Sequence, residues 1–245
     1  MNLKFLISSL FLFSSICIAG AQSYLISDFD SYADTAALRA EWSSFGNGAQ
    51  DGAPSLSEGT GIGNPSSNAA VFTLTWGSGS SANAVFGEFG SNGFTLPTEL
   101  QDLSNYGEIS FFALLSNTSD LNSNTLSSSS TLVKVAFEGG DAGNTVWQST
   151  NGTGLVADNN YSQYSLSLND VNEMSSVGGG NDSFENTIQN VKNIRLQFEN
   201  TSAGSNEFVF LDNITAVPEP SSYALLIGLG GLSLAFYRRY KQVKV

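Results

Sequence analysis

Residues 193–200 read NIRLQFEN, and their character alternates. Ile194, Leu196 and Phe198 are apolar, whereas Arg195, Gln197 and Glu199 between them are polar. A strand sends successive side chains to opposite faces, so this period of two predicts a strand with one face in a core. Residues 161–168 (YSQYSLSL) repeat the device with Tyr164, Leu166 and Leu168. Outward from these, similar runs predict strands over Tyr24–Phe29, Asn68–Trp76, Ala82–Phe89, Tyr106–Leu115, Leu132–Glu138 and Val146–Ser149. Tyr161–Leu168, Val191–Glu199 and Glu207–Val217 complete the set. Only Asp34–Trp42 reads as a helix, capped by Asp34. Short strands joined by Gly- and Asn-rich turns argue for an all-β antiparallel β-sandwich. The segments Gly46–Gly63, Ser116–Ser130 and Val177–Asn186 read as long polar loops.

The ends of the chain differ from this body. Met1–Ala21 has Lys4, an apolar stretch from Phe5 to Ile18, and the small-x-small triplet Ala19-Gly20-Ala21. That layout predicts a signal peptide over 1–21, read by the Sec export machinery, with an uncleaved anchor as the alternative. The only cysteine, Cys17, falls inside it, so the mature chain has no disulfide. Of the 22 acids, 21 lie in the body, against four bases there: Arg39, Lys134, Lys192 and Arg195. A surface so acidic excludes nucleic acid and anionic lipid as partners and attracts cations. The chain contains no histidine, which removes every His-dependent triad or zinc site.

Asp28 and Asp30 stand two residues apart, on one face of a strand. Asp212 is in phase with Phe208, Phe210 and Ile214, the side expected to face inward. If the first and last strands are neighbours, these carboxylates converge and repel unless a cation sits among them. Oxygen ligands of this kind suit a structural Ca²⁺; otherwise Asp28 and Asp30 are turn residues and Asp212 ends a strand. The stretches LISDFDSY, VKNIRLQF and EFVFLDNITAV resemble the first and last strands of carbohydrate-binding-module jelly rolls of the galactose-binding-like class. Such modules carry Leu-Ile-x-Asp-Phe-Glu early and Val-x-Ile-Asp-Asp-Ile late, and hold Ca²⁺ between them. The resemblance implies a jelly roll and points to Asp30 and Asp212, then Asp28, as metal ligands. The chain departs from the pattern with Asp30 for Glu and Asn213 for the second Asp.

Sugar recognition needs flat apolar faces and polar groups for hydroxyls. Trp147, amid the polar GGDAGNTVWQSTNG, is the candidate platform, and Phe45, Tyr106 and Tyr161 are further loop or strand-edge aromatics, Tyr106 the second candidate. The competing reading places Trp147 in a core, as Trp42 and Trp76 are expected to be. For a glycosidase, Glu88, Glu138 and Asp141 are the acids nearest strand ends. No motif selects them.

The tail resolves into three parts. Pro218-Glu219-Pro220 is a stiff break, Tyr223–Tyr237 is apolar, and Arg238-Arg239 opens a basic stop over 238–241. Fifteen helical residues span about 22 Å, short of a hydrocarbon core of about 30 Å. This order is similar to the PEP-CTERM sorting signal of Gram-negative bacteria, whose proteins are associated with exosortases and exopolysaccharide. The resemblance implies a sorting signal over 217–241, with residues 223–237 as a transmembrane helix, following a sandwich domain over 22–216. It implies a body held outside the inner membrane, then processed to the cell surface or extracellular matrix. A core helix is the alternative for the apolar stretch. The resulting expectation is an exported, non-catalytic protein that binds polysaccharide. A structural or adhesive matrix protein is the second reading, and a carbohydrate-active enzyme the third.

Overall fold

The computed structural model describes residues 22–219 apart from 48–49, 52–53, 58–59, 63–66, 77–79, 91–92, 122–124, 126–129, 142–143, 158–159, 169–170 and 201–205. The expected signal peptide, transmembrane helix and basic stop, with Pro220, Arg238 and Arg239, lie outside the described residues. Ser23–Val217 forms one unit. Of the other, Met1–Gln22 with Pro218–Val245, only Gln22, Pro218 and Glu219 are described. No helix among the described residues is long and apolar enough to cross a membrane.

In chain order the strands are β1 (Tyr24–Ser27), β2 (Trp42–Asn47), β3 (Gln50–Asp51), β4 (Ser55–Ser57), β5 (Ala69–Thr75), β6 (Ser80–Gly87) and β7 (Tyr106–Ser116). They continue as β8 (Leu132–Gly139), β9 (Thr145–Ser149), β10 (Thr153–Gly154), β11 (Ser162–Ser167), β12 (Met174–Gly178), β13 (Val191–Asn200) and β14 (Asn206–Pro218). Two short helices accompany them, α1 (Thr35–Glu41) and α2 (Phe184–Gln189). The first sheet runs β11-β7-β14-β5-β3, with β1 on β14 and β4 on β5. The second runs β12-β9-β8-β13-β6-β2, with β10 on β8. Antiparallel ladders build both, so the expected all-β sandwich is the observed architecture.

The alternation that opened the sequence decides the packing. Ile194, Leu196 and Phe198 of β13 are buried in the main core between the sheets. There they meet Phe72 and Leu74 of β5, Phe86 of β6, Val135 and Phe137 of β8, and Val209 and Leu211 of β14. Trp42 and Trp76 belong to the same core. Trp42 packs against Phe29 and Phe86 at ring separations of 5.5 and 5.0 Å. The Trp76 indole N–H donates to Glu207 Oε2 at 2.7 Å, which gives a buried polar tip its partner. Both apolar clusters lie within Ser23–Val217, so the body has what it needs to fold on its own.

Three expectations change. The Gly46–Gly63 stretch holds the end of β2, β3 and β4 rather than one loop. Val177–Asn186 holds the end of β12 and the start of α2. The Ser183 side chain caps α2 by accepting from Asn186 N–H, and Phe184, Thr187 and Ile188 give it a buried side. The third change concerns phase. Phe208 and Phe210 lie in a second apolar cluster, with Ala69, Val71 and Leu114, on the side of the first sheet away from the main core. Val209 and Leu211 face the core, and so do Ile214 and Ala216. The inward phase thus shifts by one residue between Leu211 and Ile214. It does so at Asn213, whose φ of 49° is the left-handed region where Asn is tolerated.

Candidate functional site

The first and last strands are neighbours, with Tyr24 opposite Ala216 and Ser27 opposite Ile214. Asp28 and Asp30 follow β1 around Phe29, a buried residue in left-handed backbone with φ 60°. Asp212 precedes the Asn213 bulge and is 1% exposed. Its Oδ2 accepts from Ile62 N–H and its Oδ1 from Asn213 N–H, each at 2.7 Å. Asp30 Oδ1 accepts from Asn68 N–H at 2.6 Å, and Asp28 Oδ1 accepts from Asp30 N–H at 3.1 Å. Two carboxylates thus hold the two ends of the 62–68 segment against the β1–β14 junction.

Burial raises the Asp212 pKa; the two backbone N–H groups oppose this, and the charges of Asp30 and Asp28 add to it. The buried Tyr161 hydroxyl, which has no hydrogen-bond partner, is raised by its own burial and then by Asp212. The junction therefore gathers oxygen donors and unrelieved negative charge, a chemistry that suits a hard cation. Among the described residues, no three acidic side chains stand close enough to cage an ion by themselves.

Of the two aromatics expected to offer a ligand surface, Tyr106 is a core residue and Trp147 is half-buried against the core. Tyr106, at the start of β7, is 8% exposed and part of the main core. Trp147 lies opposite Phe137, on the core side of β9. Its ring meets Phe184 of α2 edge-on at 5.5 Å, and its N–H donates to the Asp182 carbonyl at 3.4 Å. The hidden helix α2 is the reason: it supplies the ring that closes over Trp147. The two residues sit in different sheets and are not brought together.

The outward face of the second sheet joins Phe45 to polar residues that the linear reading did not bring together. The ladder register places Ser43, Val85, Arg195, Ala136, Gln148 and Ser175 in one row across six strands. Val85, Arg195, Ala136 and Gln148 of this row are buried, and Ser43 and Ser175 at its ends are half-buried. Phe45, Asn83, Gln197 and Lys134 form the adjacent row. Phe45 stacks on Phe89 at 4.7 Å and 12°, and the Arg195 guanidinium lies 5.2 and 5.9 Å from their ring centres. Arg195 pairs with Glu138, and its Nε donates to Asn193 Oδ1 at 2.9 Å. Asn193 Nδ2 donates to Glu138 Oε2 at 3.1 Å and to the Glu88 carbonyl at 2.8 Å. Lys134 pairs with Glu199 at 2.8 Å, and Gln197 Nε2 donates to Glu199 Oε1 at 2.7 Å.

Two of the body's four cations thus sit on this face, each neutralised by a glutamate. Burial lowers the Arg195 pKa to about 10, which still leaves it charged at neutral pH. Asn83 Oδ1 is buried on the same face and has no hydrogen-bond partner among the described residues. Buried acceptors are rarely left so. A weak signal existed in the sequence, since Arg195 and Gln197 are the polar phase of NIRLQFEN. Their partners on β2, β6 and β8 become neighbours only once the register is set.

Of the acids singled out for catalysis, Glu138 is held in the Arg195–Asn193 network. Asp141 is exposed and accepts from Asn186 Nδ2 at 3.2 Å. Glu88 is exposed at the end of β6. The three are not assembled around one point by any shared contact among the described residues.

Comparison with known proteins adds two findings. Residues 216–239 match the PEP-CTERM protein-sorting motif, which marks an exported chain and implies processing by an exosortase-type enzyme. The body is similar to a carbohydrate-binding module specific for non-crystalline cellulose, CBM28: 12% identity, a TM-score of 0.50, 80% of this chain and 95% of that one covered. It is also similar to the family 11 carbohydrate-binding module of the cellulosomal cellulase Lic26A-Cel5E of Clostridium thermocellum. There the identity is 13% and the TM-score 0.49, with 80% and 95% covered. A third likeness is to an exo-β-agarase, at 13% identity and a TM-score of 0.46, with 80% and 26% covered. At such identities the likeness is one of fold. No curated protein matches the chain.

Proposed function

We propose that the chain is an exported, non-catalytic protein that binds polysaccharide on the outward face of its second sheet. The observation that carries this reading is the Phe45–Phe89 stack on that face, with the Arg195 guanidinium 5.2 and 5.9 Å from its ring centres. Around it, planar amide, carboxylate and guanidinium groups are already fixed by one another. Pyranoses present apolar C–H faces and hydroxyl edges, and this combination of ring and planar polar groups meets both. Because the groups are held before ligand arrives, little ordering cost falls on binding.

The same contacts support a non-catalytic role. Glu138, the one candidate acid on the face, is occupied by Arg195 and Asn193 and belongs to a supporting network. Release to the cell surface or matrix after processing at Pro218-Glu219-Pro220 belongs to this proposal, as does transient retention in the inner membrane. So does a structural Ca²⁺ at the β1–β14 junction, where Asp212, Asp30 and Asp28 would supply only part of the shell and backbone carbonyls or water the rest.

A glycan array probed with residues 22–219 tests the reading. Discrete hits are expected, and Phe45→Ala and Gln197→Ala should each weaken them about tenfold or more, the loss of about 1.4 kcal/mol. Hits that survive both substitutions would move the site elsewhere. An array without hits would leave the adhesive matrix protein as the better reading.

A further inference from the structure

A separate cleft of about 250 Å³ opens where β6 ends and β13 begins. Leu96 and Val191, each 3% exposed, give it an apolar floor. Glu88, Gln101, Gln189 and Lys192 supply polar lining. Four chain segments meet here, and backbone hydrogen bonds fix them. Glu88 N–H donates to the Lys192 carbonyl at 3.0 Å, Val191 N–H to the Gln101 carbonyl at 2.8 Å, and Leu103 N–H to the Ile188 carbonyl at 2.9 Å. Gln101 Nε2 donates to the Leu96 carbonyl at 2.7 Å, so this amide is braced. Gly87 makes the close approach possible: its φ is 121°, and a Cβ there would stand 2.4 Å from the Lys192 carbonyl oxygen.

We propose that this cleft is a second saccharide site, taking one sugar residue from a chain end or branch. The volume is below the range of drug-sized pockets and suits a single ring. An apolar floor under a rim of amides, one carboxylate and one ammonium matches a pyranose, whose C–H face packs down while its hydroxyls both donate and accept. One negative and one positive group balance, which selects a neutral sugar. The cleft also continues the proposed glycan face, because Asn193 donates at once to Glu138 on that face and to the Glu88 carbonyl at the cleft wall. The inference rests on the glycan reading to that extent, and it adds that the protein reads a terminus or branch as well as the length of a chain.

Titration of ¹⁵N-labelled residues 22–219 with neutral methyl glycosides, followed by amide spectra, tests it. At least one glycoside should shift the side-chain amides of Gln101 and Gln189 and the backbone amides of Glu88 and Lys192. The double variant Glu88→Gln, Gln189→Ala should weaken that glycoside at least tenfold without altering the rest of the spectrum. Single Glu88→Gln, the milder change, should give a smaller loss in the same direction. Absence of shifts with every glycoside overturns the site. So does a shift with free glycine in place of any sugar, which would make the cleft a zwitterion site. A Phe45→Ala chain that loses polymer binding but keeps the cleft shifts supports two sites. Cleft shifts in a wild-type chain that binds no polymer would leave the cleft standing and remove the sheet face.

Discussion

Asp212 gives both oxygens to backbone N–H groups, yet its folded pKa lies above the ordinary 3.8 because burial outweighs them. The sign of its contribution follows. A carboxyl whose folded pKa is raised binds more protons folded than unfolded between the two values. Its stabilising contribution is complete below the unfolded value and is lost as pH rises through the folded one. Without divalent ions, the stability of the wild-type body relative to Asp212→Asn should therefore decline from pH 4 toward neutrality. Urea unfolding at unit intervals of pH measures it, and a flat difference would count against this account. Glu207 is also buried, at 3% exposed, and it is well supplied with donors. It accepts from Trp76 Nε1 at 2.7 Å and Thr131 Oγ1 at 2.5 Å. Glu207→Ala orphans both donors and should cost about 3 kcal/mol, whereas Glu207→Gln keeps an acceptor and should cost less. Equal losses for the two variants in urea unfolding would argue against this division.

At the scale of elements, the strands were legible and their partnerships were not. NIRLQFEN announces β13 through its period of two, but nothing in it says that Gln197 will lie beside Asn83 and Lys134. Register depends on contacts far apart in sequence, and the outward face of the second sheet is built wholly from register. The β1–β14 contact was legible because its carboxylates sit in short, dense segments at both ends of the body. Helix α2 was missed for a local reason. NDSFENTIQN is rich in Asn, Ser and Asp, residues that compete with the backbone and read as loop. Burial of Phe184 and Ile188 outweighs that preference. Ser183→Ala removes the side chain that accepts from Asn186 N–H at 3.2 Å, and should cost about 1 kcal/mol. As α2 holds Phe184 against Trp147, the same substitution should alter tryptophan emission before global unfolding; an unchanged spectrum would separate the helix from that ring.

The charge of the whole body sets a behaviour that no single contact explains. Its 21 acids face four bases, and two of those bases, Lys134 and Arg195, are already spent on Glu199 and Glu138. Self-repulsion at this density destabilises the folded state, and added salt screens it over about 10 Å at 0.1 M. Melting temperature should therefore climb with NaCl between 10 and 300 mM, in proportion to screening and without saturation at a stoichiometric point. Calcium adds a distinguishable term. If Asp212, Asp30 and Asp28 hold one ion, CaCl₂ at matched ionic strength should raise the melting temperature further and saturate, because binding to the folded state alone stabilises as RT ln(1 + [L]/Kd). Asp30→Asn should remove the saturating part and keep the screening part. Coincident NaCl and CaCl₂ curves at equal ionic strength would show that the junction is held by its hydrogen bonds to Ile62 and Asn68 alone, and that the acid surface meets cations only as a cloud.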